Sequence, residues 1–276
     1  MTLRLELNRS SDVPLEVEGI TPASVRALSL DEIRQLPIFQ GNRRVPLGEF
    51  FAASGDAADE QIVWSGDLSG VHWIGAKMTR GSIRVSGTAG RHLGSQMRGG
   101  EIDVEGDAGD WVGAELAGGL IRVRGDAGHL VGSAYRGSAR GMTGGVILVH
   151  GNAGNEIGHS MRRGLLAVGG DAADLIGFNM LAGTILVFGN VGIRHGAGMR
   201  RGTIGLMGTS ATPPLVSFRH ACRRRLDVLR LLARSLSTHA FPGADRLWDT
   251  VVDLYNGDMI EGGRGELLVR AEEGGE

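Results

Sequence analysis

The chain has 276 residues, enough to bury a large core, with 31 acidic and 29 basic residues and a formal net charge of −2. That balance excludes wholesale attraction to nucleic acid or a membrane surface, and the single cysteine, Cys222, excludes an internal disulfide or a thiolate metal cluster built within the chain. The anomaly is glycine, 47 residues of it, recurring on a period far too long for collagen.

Residues 1–61 read as an α+β N-terminal cap. Met1 to Asn8 alternates leucine with polar residues and lacks the apolar stretch of a secretory signal, so the expectation is a cytoplasmic protein. Asn8-Arg9-Ser10 is therefore a glycosylation sequon on paper only. Ser29-Leu30-Asp31-Glu32 has the form of a capping box opening a short helix that ends at Pro37. No apolar run approaches the roughly 20 residues of a membrane helix.

Residues 62–208 carry an internal repeat. Ile83-Arg84-Val85 is followed by Ile102-Asp103-Val104, Ile121-Arg122-Val123, Ile147-Leu148-Val149, Leu166-Ala167-Val168, Ile185-Leu186-Val187 and Ile204-Gly205-Leu206, at steps of 19, 19, 26, 19, 19 and 19 residues. A degenerate first copy starts near Ile62. Glycine recurs four residues into each copy (Gly87, Gly106, Gly125), usually followed by Asp or Asn (Asp107, Asp126, Asn152, Asp171, Asn190) and then alanine (Ala89, Ala108, Ala127). An apolar-Gly pair such as Val112-Gly113 and a Met or Leu such as Met97 complete the frame. Short strands separated by glycine and Asx corners fit this pattern, and like residues stack on like. The fold expected is mainly β: a right-handed parallel β-helix of about seven 19-residue coils, three short strands to a coil, forming a rod about 34 Å long.

On the outside, Arg84, then Asp103 and Glu105, then Arg122 and Arg124 form a cross-strand ion-pair ladder. Later copies place Leu148, Ala167, Leu186, Phe188 and Met207 in the same columns, an apolar face that the C-terminal segment or another subunit must cover. Residues 209–276 form that C-terminal segment, read as helical: an arginine-rich helix from Arg219 to Ser237 carrying Leu226, Leu229, Leu232 and Leu236, and a second helical stretch holding Leu247, Trp248, Val251, Val252 and Tyr255.

Chemistry-bearing motifs are sparse, and no catalytic residue is assigned. Gly196-Ala197-Gly198 sits inside the repeat without the strand–turn–helix setting of a dinucleotide site. His72, His92 and His129 fall near one corner of successive copies, either as metal ligands or as hydrogen-bonded corner residues; no metal site is assigned. The one recurring cluster is Arg80, Arg98, Arg162, Arg163, Arg200 and Arg201, each beside the glycine that closes a copy, with Arg136 and Arg140 in the seven-residue insertion. Stacking aligns several of them along an edge suited to a polyanion; solvated arginines or ion pairs to a neighbouring subunit are the alternative.

The repeat resembles the β-helical domain at the C-terminus of the glutamate synthase large subunit. The flanks narrow the resemblance to the C subunit of formylmethanofuran dehydrogenase: Ser29-Leu30-Asp31-Glu32-Ile33 through Leu36-Pro37, Gly41-Asn42-Arg43, then Tyr255-Asn256-Gly257-Asp258 and Gly263-Arg264-Gly265-Glu266-Leu267-Leu268. That family has a bacterial branch, the C subunit of the formyltransferase/hydrolase complex of methylotrophs, to which Lys77 as the only lysine points through a GC-rich coding sequence. The resemblance implies a non-catalytic structural subunit. Its partners would be a formyltransferase subunit, an amidohydrolase-like subunit and one further subunit. The complex would move formyl from formyl-tetrahydromethanopterin to a methanofuran-type carrier and release formate, with no cofactor assigned to this chain. The archaeal branch, a molybdenum or tungsten formylmethanofuran dehydrogenase, and a separate glutamate-synthase-like protein are the alternatives.

Overall fold

The structure is a computed structural model and describes residues 2–209 and 212–271. It is mainly β. Eight strands supplied by the repeat run parallel and in register: Gln61–Ser65, Ser82–Ser86, Glu101–Val104, Leu120–Val123, Val146–Val149, Leu165–Val168, Thr184–Val187 and Gly202–Leu206. Ile83 pairs with Ile102, Ile102 with Ile121 and Ile121 with Ile147, so the spacing read in the sequence is the strand register itself. A second line of contact joins Leu68, Ala89, Ala108, Ala127, Ala153, Ala172 and Val191 through isolated parallel bridges.

The third side of each repeat has no strand, contrary to the expectation of three strands per coil. There the backbone alternates into the left-handed region, as at Trp111 (φ 67°), Gly113 (φ 59°) and Glu115 (φ 55°). The alternation turns successive N–H groups in opposite directions. Trp111 donates to the His129 carbonyl of the following repeat at 2.8 Å, and Gly113 donates to the Leu93 carbonyl of the preceding one at 2.8 Å. These bonds offset left-handed conformations that cost a non-glycine residue roughly 1 kcal/mol or more each. Gly113 is needed twice over, because a Cβ there would stand 2.5 Å from Ile147 Cδ1 in the core.

The Asp/Asn column has a different cause from the corner strain expected of it. None of Asp107, Asp126, Asn152, Asp171 or Asn190 has positive φ. Each of the first four instead accepts the backbone N–H of its counterpart in the next repeat, at 2.6–2.8 Å. The core is formed by stacked Ile, Val, Ala and Met columns, with Met97, Leu116, Met142, Met161 and Met180 all fully buried.

Both flanks continue the sheet, which totals 13 strands among the described residues. At one end Leu3–Leu7 runs parallel to Gln61–Ser65 and antiparallel to Phe51–Ser54. The capping box forms as read: Ser29 caps the helix Leu30–Arg34, and the Ser29 N–H donates to the Glu32 carboxylate at 2.8 Å. At the other end Gly265–Arg270 adds a parallel strand beside Gly202–Leu206, followed by antiparallel Val251–Gly257 and Arg219–Arg225.

The C-terminal segment therefore departs from the helical reading. Arg219–Arg225 is a strand, and the helix is confined to Asp227–Ser237. The second helical stretch is a short 3-10 turn, Ala244–Leu247, leading into the strand Val251–Gly257. A run of Val251, Val252, Leu254 and Tyr255 suits a pleated surface better than a helix. The cover on the apolar outer columns is now identified. Leu148, Ala167, Leu186, Phe188 and Met207 lie under Leu229, Ala233, Leu236, Phe241 and Leu247 of the same chain. No helix among the described residues is long and apolar enough to cross a membrane.

Candidate functional site

The ion-pair ladder forms across three repeats. Arg122 meets Asp103 at 2.7 Å, Arg124 meets the same carboxylate at 3.0 Å, and Arg84 reaches Glu105 at 2.8 Å. Partial burial works to raise the pKa of Asp103, but the hydrogen bonds and charges of Arg124 and Arg122 outweigh it and hold the carboxyl below its ordinary value. Asp103 and Glu105 are thus structural acids, each paired with arginine.

The corner histidines separate into two roles. His72 Nδ1 accepts the Arg91 N–H at 3.0 Å and His129 Nδ1 accepts the Asn155 N–H at 2.9 Å. In the same column Asp110, Asn155 and Asp174 do likewise for the next repeat. His92 lies one residue further along the repeat, in a stack the sequence reading missed. Its ring lies 4.2 Å from that of Trp73 at an interplanar angle of 9°, and 6.1 Å from that of Trp111. Tyr135, from the insertion, covers Trp111 at 5.0 Å. The signal was present in Trp73, His92 and Trp111 standing at equivalent positions of successive repeats.

Hydrogen bonds link the members of this cluster. Ser95 Oγ donates to the Trp111 carbonyl at 3.3 Å, and the Tyr135 hydroxyl donates to Ser95 Oγ at 2.9 Å. His92 Nδ1 lies 3.0 Å from that hydroxyl. Burial first, with the nearby His72 and Arg91, lowers the His92 pKa to about 4, and burial raises that of Tyr135 to about 12. The imidazole is neutral at physiological pH. The Ser95 side chain is fully buried and its proton committed, so this group holds no activated nucleophile. Beside it runs a groove of about 470 Å3 lined by Lys77, Thr79, Gln96, Arg98, Glu115 and Ala117. Lys77 is held by Glu18 at 2.8 Å and Gln96 donates to Glu115 at 2.9 Å.

The arginine edge resolves into two adjacent columns. Arg98, Arg162 and Arg200 each follow a core methionine and donate their backbone N–H to the methionine of the preceding repeat. Arg80, Arg163 and Arg201 stand one residue further. Ala117, Thr143 and Leu181 occupy the intervening places, so Arg98 and Arg162 are about 14 Å apart and Arg162 and Arg200 about 10 Å. Arg80 pairs with Glu60 at 3.2 Å and Arg200 with Glu261 at 3.0 Å. Arg98, Arg162, Arg163 and Arg201 are exposed and have no carboxylate partner among the described residues. Among the described residues no group of three or more His, Cys, Asp or Glu is placed to hold a metal ion.

The GXGXG motif family matches residues 69–216, which hold seven of the eight repeat strands. Over 82 residues the chain is 46% identical to the C subunit of the molybdenum-containing formylmethanofuran dehydrogenase 1 of Methanothermobacter thermautotrophicus, covering 29% of this chain and 20% of that protein. The C subunit of the tungsten-containing formylmethanofuran dehydrogenase 2 of the same organism is 46% identical over 86 residues, 30% of this chain and 32% of that one. The matched stretch thus spans a fifth to a third of the length of these relatives. A chain in the crystal structure of the formyltransferase/hydrolase complex (FhcABCD) from Methylorubrum extorquens, solved with methylofuran, superposes with a TM-score of 0.90 at 33% identity, covering 98% of this chain and 100% of that one. The repeat, its register and this end-to-end match agree: the chain belongs to the GXGXG motif family, and it is similar to the C subunits of formylmethanofuran dehydrogenases and to a chain of the FhcABCD complex.

Proposed function

We propose that this chain is the structural C subunit of a cytoplasmic formyltransferase/hydrolase complex. That complex takes formyl from formyl-tetrahydromethanopterin onto a methanofuran-type carrier and releases formate. The observation that carries the reading is the end-to-end match, at 33% identity, to a chain of the FhcABCD complex with methylofuran. In this reading the chain organises a formyltransferase, an amidohydrolase-like subunit and a further subunit. In this reading the repeats wind as a right-handed parallel β-helix, the hand that parallel crossovers almost always take. Residues 62–208 are the rigid rod, 1–61 its cap and 209–276 its cover.

The arginine edge has a place in this scheme. Arg98, Arg162, Arg163 and Arg201, with Arg80 and Arg200 released from their acids, would guide the acidic tail of the carrier, keeping its formyl end at high effective concentration between active sites. The test is a complex reconstituted with and without this chain. Coupled formyl transfer and hydrolysis is expected to collapse without it and to fall when Arg162, Arg163 and Arg201 are changed to Glu. A coupled rate indifferent to the chain would defeat the scaffold, and carrier affinity indifferent to the charge reversal would defeat the edge.

One observation favours a second reading, the redox branch: the 46% identity over 82 residues is to the C subunit of a molybdenum-containing formylmethanofuran dehydrogenase.

A further inference from the structure

The strand Arg219–Arg225 ends the 13-stranded sheet. Its inner edge pairs with Val251–Gly257 from Arg219 opposite Asn256 to Arg225 opposite Val251, with an irregularity between His220 and Cys222. Six of its seven residues are exposed, so neither face is covered and packing does little to hold it. At residues 219–222, 224 and 225 no backbone partner lies on the outer edge among the described residues.

The charges on this edge are one-sided. Asp253 binds Arg223 at 2.8 Å and His220 at 3.2 Å and is thereby occupied. Arg219, Arg224 and Arg225 have no carboxylate within ion-pair distance among the described residues. A second copy of the strand laid along this edge would oppose arginine with arginine, which is unfavourable. An acidic strand would meet no such penalty. Next along the chain, Val228 and Leu231 stand 45% and 69% exposed on the helix Asp227–Ser237, and Trp248, whose carbonyl accepts from Arg230 at 3.2 Å, is 44% exposed. Arginine and tryptophan beside open apolar side chains are the composition of an interface anchor.

We propose that the outer edge of Arg219–Arg225 takes an extended, acidic segment of a partner subunit as an additional antiparallel or parallel strand. Backbone hydrogen bonds supply the attachment, and Arg219, Arg224 and Arg225 choose an acidic sequence. Val228, Leu231 and Trp248 receive the apolar residues that flank it. This rests on the assembly reading above and names a surface through which the assembly forms.

Amide hydrogen exchange tests it, comparing the chain in its intact complex with the full chain freed from its partners. The amides of 219–225 are expected to exchange at least about tenfold more slowly in the complex. A triple variant, Arg219→Glu, Arg224→Glu and Arg225→Glu, is expected to lose that protection and to release partner subunits at lower salt than the unaltered chain does. Unchanged protection in the Val146–Val149 strand certifies that the variant has folded; should it not fold, the wild-type comparison decides alone. Equal exchange rates in complex and free chain would overturn the proposal while leaving the assembly reading intact. Protection that appears only on adding free polyglutamate would also overturn it, since the edge would then serve a ligand. A chain that elutes without partners would remove both.

Discussion

At the scale of single residues, the side chains that repeat most strictly act on the backbone of the neighbouring repeat. Asp126 accepts the Asn152 N–H at 2.7 Å, and each such bond ties two repeats together. Asp126→Ala leaves that donor to water, so a loss of about 1 kcal/mol is expected, read as a fall of a few degrees in the thermal midpoint. The column was legible in the sequence as a spacing, but its reason was not, because a corner residue and a capping residue share one composition. His92 gives a pH signature. Its folded pKa, about 4, lies below the ordinary 6.5, so the unfolded chain takes up the proton first. The contribution is therefore complete above about pH 6.5 and is lost as pH falls from there toward 4. His72, His150 and His195 shift the same way, each through burial first. The carboxylates Asp103 and Asp253, held below 3.8, act only at lower pH. Urea midpoints measured across that window are expected to drop as pH falls, and to drop less for His92→Phe, which keeps the stack on Trp73. A midpoint equally steep in the variant would remove His92 from the account.

At the scale of elements, legibility followed periodicity. The repeat strands, the Ile and Met columns and the Ser29 cap stand where the spacing put them, because burial on one face imposes a period that composition exposes. The Arg219–Arg225 strand has no such imprint. With both faces in water it shows no alternation, and its arginines blended into the helix that follows. The Trp73–His92–Trp111 stack went unread for a related reason: it projects from left-handed corners, outside the strand columns that define the repeat. The helix Asp227–Ser237 buries Leu229, Ala233 and Leu236 against Ala167, Leu186 and Phe188. Leu236 is fully buried, and Leu236→Ala is expected to cost about 2–5 kcal/mol in chemical denaturation. Hydrogen exchange should show the loss as faster opening of this helix ahead of the repeat strands; a change below about 1 kcal/mol would mean that the helix rests loosely on the sheet.

At the scale of the whole molecule, the sheet runs from Phe51–Ser54 to Arg219–Arg225 through strands given by every part of the chain. The apolar outer columns called for a cover, the C-terminal segment or another subunit, and Leu229, Leu236, Phe241 and Leu247 supply it from within. The case for assembly now rests on the end-to-end likeness to a chain of the FhcABCD complex and on features open among the described residues: Arg98, Arg162, Arg163 and Arg201 without a carboxylate partner, the outer edge at Arg219, Arg224 and Arg225, and the exposed Trp248. The most direct test is affinity purification of the tagged chain from its native host, with mass spectrometry of the proteins that co-elute. Co-elution of a formyltransferase and an amidohydrolase-like subunit is the result predicted, and a molybdopterin subunit in their place would transfer the chain to the redox branch. A chain recovered intact and alone would contradict the account.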